Sequence, residues 1–294
     1  MATVTSHRIG LVGEGIGSSL SPVVHEAEAR ALGLAGYRYE LLDIHTLRRS
    51  PADAATVVRE AITAGFTGFN ITHPCKQTVM GGLDDLDPHA AALGAVNTVV
   101  VDDGRLIGHN TDYSGFLTAL RGGLTGAALD TVVLCGAGGA GSAVAHALAS
   151  AGAQRLIVAD ADPVRAQGLA RQVGRTHPGT DATGVAAADT ATHVPGAAGV
   201  VNASPIGMEG FAGTPFDTAV LQSRHWVADI VYRPVHTELL RAATALGCRT
   251  LDGAQMLVAQ AADTFALVTG VEPDRQRMRR HLHEVLRRRA ALAS

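Results

Sequence analysis

Between Thr131 and Val144 the chain reads Thr-Val-Val-Leu-Cys-Gly-Ala-Gly-Gly-Ala-Gly-Ser-Ala-Val. Strand-forming residues run straight into Gly136-x-Gly138-x-x-Gly141, which opens a helical stretch over Gly139–Ser150. In this pattern the first glycine permits a tight turn, the second lets backbone amides approach a pyrophosphate, and the third allows close helix–strand packing. A helix N-terminus then offers free N–H groups and its positive dipole end to phosphates, so Gly136, Ala137, Gly138, Gly139, Ala140 and Gly141 are candidate cofactor contacts. Leu156–Ala159 reads as the next strand, and it ends in Asp160, at the roughly 20-residue spacing expected of a ribose-binding acid. A carboxylate there accepts hydrogen bonds from ribose hydroxyls and repels a 2′-phosphate, so NAD is expected over NADP. A competing reading makes Asp162 the cap of the following helix and Arg165 a phosphate partner, which admits NADP.

The same alternation of short apolar strands and alanine-rich helices extends almost end to end, which favours a mostly parallel α/β architecture. Ile9–Val12 runs into Gly13-Glu14-Gly15-Ile16-Gly17, and a helix is expected from Ser21-Pro22 to Gly33, with Ser21 as N-cap. Strands are expected at Tyr37–Leu42 and Thr67–Ile71 around a helix at Ala52–Ala64. Val96–Val101 and Leu106–Gly108 read as a hairpin turning at Asp102-Asp103-Gly104. After a helix at Asp112–Leu120, Gly122-Gly123-Leu124-Thr125-Gly126 reads as the end of a linker. The glycine loop, a helix at Pro163–Val173 and strands at Gly199–Asn202 and Val227–Val231 make a second sheet. Helices at Gly253–Thr269 and Asp274–Ala290 close the chain.

Of 24 Lys and Arg residues only one, Lys76, is a lysine. Arginine serves solubility and pairing equally well, but a guanidinium stays charged at any physiological pH, whereas an ammonium in a cleft can lose and regain its proton. Lys76 lies in Asn70-Ile71-Thr72-His73-Pro74-Cys75-Lys76, read as a strand end with its polar residues along one side. Other polar clusters are Ser19-Leu20-Ser21-Pro22 with His25, Ala95-Val96-Asn97-Thr98 and Gly108-His109-Asn110-Thr111-Asp112. Later come Asp229-Ile230-Val231-Tyr232-x-Pro234 and Asp252-Gly253-x-x-Met256-Leu257-Val258-x-Gln260-Ala261-Ala262. Short hydroxyl and amide side chains suit a small polyhydroxylated carboxylic acid, with charge needed mainly at the reacting carbon. Ser19 and Ser21 suit its carboxylate, since a helix N-terminus lies beside them. Each of these residues taken singly is also an ordinary turn or capping residue.

Together these motifs, in this order and over nearly the whole chain, resemble the shikimate dehydrogenase family, including its quinate/shikimate branch. The resemblance implies an N-terminal α/β substrate domain and a Rossmann-type dinucleotide-binding domain with a cleft between them. The boundaries expected are 1–112 for substrate binding and catalysis, 113–252 for the dinucleotide, and 253–294 for C-terminal helices returning to the substrate domain. It implies interconversion of shikimate and 3-dehydroshikimate, and of quinate and 3-dehydroquinate, within the shikimate pathway. Lys76 and Asp112 match the catalytic pair, a proton shuttle for the carbinol hydroxyl. Thr72, Asn97, Asn110 and Gln260 match positions that hold substrate hydroxyls, and Tyr232 a substrate-side tyrosine. Asn202, Ser204, Ile230, Gly253 and Met256 fall on the cofactor side.

Ala159-Asp160-Ala161 stands where NADP-preferring relatives usually carry an Asn-Arg-Thr-like segment, which places the chain nearer the NAD-using branch. Tyr113, where many shikimate-specific members have Gly, points the same way. Ser21, where quinate users often have Thr, points against quinate. An NADP-using biosynthetic shikimate dehydrogenase, an enzyme for an amino-substituted analogue, and an NAD-sensing regulatory protein without catalysis remain as alternatives.

A net charge of −3 attracts neither nucleic acid nor an anionic membrane, so no such partner is expected. No apolar run approaches the roughly 20 residues needed to span a bilayer. Met1–Gly10 lacks a basic segment followed by an apolar run, so no signal peptide is expected, and the protein reads as cytoplasmic, a monomer or homodimer. Cys75, Cys135 and Cys248 form neither a disulfide framework nor a zinc motif. Cys75 and Cys135 read as packed thiols, His281-x-His283 has the wrong spacing for a metal pair, and no metal is expected. The run Arg275–Arg289 reads as the solvated face of an amphipathic helix.

Overall fold

The computed structural model describes residues 6–293. Residues 1–5, half of the segment read as lacking a signal peptide, and Ser294 lie outside the described residues. Two compact units divide the chain: one extends to Thr111 and resumes at Gln260, the other is Asp112–Ala259.

In the first unit β1 (Arg8–Gly13) leads through a short 3-10 turn at Ile16–Ser18 into α1 (Ser21–Ala31). Then follow β2 (Arg38–Asp43), α2 (Ala54–Thr63), β3 (Gly68–Ile71), β4 (Asp85–Leu86), α3 (Pro88–Leu93), β5 (Thr98–Asp102) and β6 (Arg105–His109). The sheet order is β2-β1-β3-β5-β6-β4. β1 runs parallel to β2 and β3, whereas β5 is antiparallel to β3 and β6, so this sheet is mixed. The reversal at the hairpin follows from Asp103 and Gly104, whose φ angles of 44° and 79° make the two-residue turn that matches strand twist. Alternation along the strands sends Val12, Phe69 and Ile71 toward Val57 and Val58 of α2. Ile9, Leu11 and Tyr39 pack instead with Phe265 and Val268.

α4 (Thr111–Gly123) includes Gly122 and Gly123, so the expected linker is helix at that point. Gly123 packs too closely for a side chain, since an added Cβ would meet Leu251 at 2.6 Å. The second unit continues with β7 (Thr131–Cys135), α5 (Gly139–Ala151), β8 (Arg155–Asp160), α6 (Pro163–Thr176), β9 (Asp181–Ala186) and α7 (Thr190–His193). β10 (Gly199–Asn202), β11 (Trp226–Asp229), α8 (Glu238–Ala245) and β12 (Arg249–Leu251) complete its sheet, which is wholly parallel in the order β12-β11-β10-β7-β8-β9. Alanines of α5 make a thin helix that seats closely on this sheet, with Ala143, Ala145 and Ala147 fully buried.

α9 (Gly253–Thr269) runs from the second unit into the first, and α10 (Arg275–Ala293) follows. α10 buries Met278 and Leu282 and exposes Arg279, Arg280, Arg287, Arg288 and Arg289, as the amphipathic reading expects. It is tied to α1 by Arg277, whose guanidinium donates to the buried Glu28 carboxylate at 2.8 and 2.5 Å. Among the described residues no helix is long and apolar enough to cross a membrane.

Candidate active site

In the first unit the C-terminal ends of β1, β3 and β6 and the start of β5 share one edge of the sheet. The loop after β1 lies against the turn after β3: Glu14 N–H donates to His73 O at 3.0 Å, and a Cβ at Gly13 would meet Thr72 at 2.3 Å. That turn in turn lies against residues 95–97, because Val96 N–H donates to Lys76 O at 2.8 Å. Asn110 Nδ2 donates to Ala95 O at 2.9 Å. Ser19, Thr72, Lys76, Asn97 and Asn110 are thus placed on one polar edge. The strand ends at Ile71, as expected, and residues 73–76 after it form a turn, so their polar groups do not alternate along one side. There Lys76 is half-buried, and burial pushes the Cys75 thiol up to about 11, which leaves it a packed, unactivated group.

Ser21 is not the N-cap of α1. That position is Leu20, with Ser21 and Pro22 as the first two helical residues, and the Ser21 N–H donates to Ser19 Oγ at 3.2 Å. The Ser19 hydroxyl therefore takes up one of the free N–H groups of the first helical turn. The Tyr39 phenol donates to Asn70 Oδ1 at 2.8 Å. Behind the edge, Asn70, Asn97, Thr98, Thr111 and Thr264 form a buried polar network. Gln260 stands one turn before Thr264 on the same face of α9. Asn70, Thr98, Thr111 and Thr264 were not assigned from sequence. Thr264 has no motif signal at all, since a helical Thr in an apolar stretch reads as core.

In the second unit the strand order reverses between β7 and β10, and such a switch point opens a crevice at the strands' carboxyl ends. Two loops flank it. Gly136 has φ 103°, and an added Cβ would meet the Ala203 and Ser204 backbone at 2.7 Å. A Cβ at Gly141 would meet Gly136 O at 2.0 Å, whereas one at Gly138 would meet nothing within 4 Å. So Gly136 and Gly141 are required by packing, and Gly138 faces open space at the N-cap of α5. A cradle of this form fits a pyrophosphate.

Asp160 ends β8. Its Oδ2 accepts from Ala137 N–H at 2.7 Å and its Oδ1 from Asp162 N–H at 2.9 Å. A carboxylate has about four acceptor sites, so each oxygen retains one for a ribose hydroxyl. Asp162 caps α6, as the competing reading holds, accepting from Val164 and Arg165 N–H. Arg165 Nε lies 3.8 Å from both Asp160 and Asp162.

On the other side of the crevice Asn202 Oδ1 accepts from Ser204 N–H and Oγ–H, and its Nδ2 donates to Asp229 at 3.0 Å. Buried Asp229 also accepts from Val231 N–H and Thr237 Oγ. Burial pushes its carboxyl up to about 6, against these hydrogen bonds. Gly253 lets α9 start against the backbone after β11, since its Cβ would meet Ile230 O at 2.3 Å, and Met256 lies buried on the same turn. Asp112 and Tyr232 also belong to this unit, whereas Lys76 belongs to the first. Cys135 is buried beneath the glycine turn, and burial pushes its thiol up to about 12. Among the described residues no group of three or more His, Cys, Asp or Glu could hold a metal.

A parallel sheet in this order, with a glycine turn and a strand-end acid at the switch point, defines a dinucleotide-binding α/β protein. Residues 11–99 match the family model described as the shikimate dehydrogenase substrate binding domain, and residues 127–196 match the ThiF family. The chain is 50% identical over 281 residues to shikimate dehydrogenase (NADP(+)) of Pseudarthrobacter chlorophenolicus, covering 96% of each. It is 49% identical over 272 residues to quinate/shikimate dehydrogenase (NAD(+)) of Corynebacterium glutamicum, covering 92% of this chain and 96% of the relative. Among solved structures, quinate dehydrogenase from Corynebacterium glutamicum in complex with NAD superposes with a TM-score of 0.90 at 48% identity, over 95% of this chain and 99% of that one. The protein belongs to the shikimate dehydrogenase family.

Proposed function

We propose that the protein is a dehydrogenase that interconverts shikimate with 3-dehydroshikimate, and quinate with 3-dehydroquinate, using NAD. The observation that carries this reading is the polar edge of Ser, Thr and Asn side chains around the chain's one lysine. It supplies short hydrogen-bonding groups for a carboxylated polyol and an ammonium able to exchange a proton.

Ser19 and Ser21 hold the carboxylate, and Thr72, Asn97, Asn110, Tyr232 and Gln260 hold the ring hydroxyls. Gly136–Gly141, Asp160, Asn202, Ser204, Ile230, Gly253 and Met256 hold the cofactor. When bound, NAD supplies the acceptor for the hydride leaving the carbinol carbon. Lys76 takes the hydroxyl proton and stabilises the developing negative charge on oxygen. Asp112 is the second member of the proposed proton shuttle.

Asp160 supports NAD, because its two remaining acceptor sites suit a ribose diol and its charge repels a 2′-phosphate. A second reading, NADP use, is favoured by the Arg165 guanidinium 3.8 Å from Asp160 and by relatives named for NADP(+). The enzyme acts in the cytoplasm as a monomer or homodimer, with no nucleic-acid or membrane partner. Initial rates of nicotinamide reduction with shikimate and quinate test the reading.

A further inference from the structure

Three threonine hydroxyls meet inside the first unit. Thr98 on β5, Thr111 at the start of α4 and Thr264 on α9 lie 3.0–3.2 Å apart in all three pairings. None is more than 2% exposed. Buried hydroxyls need partners, and a Val of the same shape fills such a position without that demand. Each hydroxyl has one proton and two acceptor sites, so the cluster is satisfied only in concert with its neighbours. Those neighbours are Asn70, whose Nδ2 donates toward Thr264 at 3.1 Å and Thr98 at 3.3 Å, and Asn97.

The Asn97 side chain is the one whose polarity the cluster fixes. The Thr111 backbone N–H can only donate, and it lies 2.6 Å from Asn97 Oδ1, which settles the end of the amide that is oxygen. The Thr98 and Thr111 hydroxyls lie 3.1 Å from that same oxygen, so its acceptor capacity is filled. Nδ2 carries two hydrogens. One goes to Thr111 Oγ at 3.0 Å, and the other meets no acceptor among the described residues.

We propose that this cluster holds Asn97 as a hydrogen-bond donor toward the substrate ring, with Thr264 as a positioning residue for that contact. The inference rests on the reading of Asn97 as a substrate contact, and it adds the direction of the bond and the residue that maintains it. Asn97 then recognises a ring oxygen through its acceptor lone pair and contributes nothing toward a group that can only donate.

Steady-state kinetics on three variants of the full chain test it. Thr264→Val keeps the shape and removes the hydroxyl, and should raise KM for the hydroxylated acid about tenfold while leaving KM for NAD unchanged. Thr264→Ser restores the hydroxyl and should return KM to within about twofold of the unaltered enzyme. Asn97→Asp keeps an oxygen for the Thr111 N–H but loses the donor, and should raise KM at least as much as Thr264→Val. An unchanged KM in Thr264→Val, or a Thr264→Ser enzyme as weak as Thr264→Val, overturns the positioning role. An Asn97→Asp enzyme with the original KM overturns the donor assignment. No turnover of either acid by the unaltered chain overturns the underlying functional reading, whereas normal turnover beside those negative results overturns this inference alone.

Discussion

The Ala137 N–H donates to the Asp160 carboxylate across 2.7 Å, joining the glycine turn after β7 to the end of β8. One acid therefore both shapes the turn and, in the proposed function, receives the ribose hydroxyls. Asp160→Asn keeps one acceptor oxygen and removes the charge that repels a 2′-phosphate. The ratio of kcat/KM for NADP over NAD should rise at least about tenfold, with a stability loss of about 1–2 kcal/mol from the weakened turn. Initial rates with both cofactors and a denaturant titration read the two effects separately.

Two glycines of the turn should fail differently. Gly141→Ala drives a Cβ to 2.0 Å from Gly136 O, backbone that cannot yield cheaply, so it should destabilise the second unit by several kcal/mol, about 3 or more. Gly138→Ala meets nothing within 4 Å and has φ −77°, so the fold should hold while the methyl occupies space needed by phosphate. Thermal melts should show Gly138→Ala unchanged and Gly141→Ala lowered, with NAD affinity at least about tenfold weaker in Gly138→Ala.

Lys76→Ala removes the proposed proton acceptor, and Asp112→Asn removes the carboxylate of the proposed shuttle. Each should cost at least about 100-fold in kcat, the scale of general acid–base catalysis, with NAD affinity within about twofold of the original. Single-turnover rates and NAD titration by fluorescence check both halves.

His25 is fully buried, with Nδ1 2.9 Å from the Tyr37 hydroxyl, and burial pushes its imidazole down to about 3. The unfolded chain keeps a value near 6.5, so between those limits it binds a proton that the folded chain does not. Stability from this source is complete above pH about 6.5 and is lost as pH falls toward 3, by as much as roughly 5 kcal/mol. His25→Phe, which cannot titrate, should show a shallower decline in unfolding free energy between pH 6.5 and 4.5. Parallel curves for the two proteins would contradict the assignment.

The parts of this fold most legible in the sequence were those where local chemistry and tertiary role coincide. The glycine turn, Asp160 and α9 could be read directly, because glycine spacing, a strand-end acid and a long apolar helix each have one mechanical use. β9 escaped because Asp181–Ala186 has little strand propensity; it pairs with β8, and α6 packs so closely over Gly184 that a Cβ there would meet Gln167 N at 2.3 Å. The Asp103-Gly104 turn marks the reversal of β5 into β6, but carries no signal that β5 pairs antiparallel with β3, so the mixed character of the first sheet is not legible locally. The amide and hydroxyl residues on the polar edge of the first sheet lie within sequence motifs, whereas Thr264 meets Thr111, Thr98 and Asn70 across 153, 166 and 194 residues of sequence. Distant pairing of that kind leaves no periodicity to detect.

The most direct measurement is the initial rate of nicotinamide reduction by purified protein, with shikimate and quinate each offered NAD and NADP. Turnover of shikimate and quinate with NAD, at a kcat/KM well above that with NADP, is the expected result. Turnover of shikimate with NADP alone would contradict the role given to Asp160, and tight NAD binding with no turnover of either acid would contradict the catalytic roles of Lys76 and Asp112.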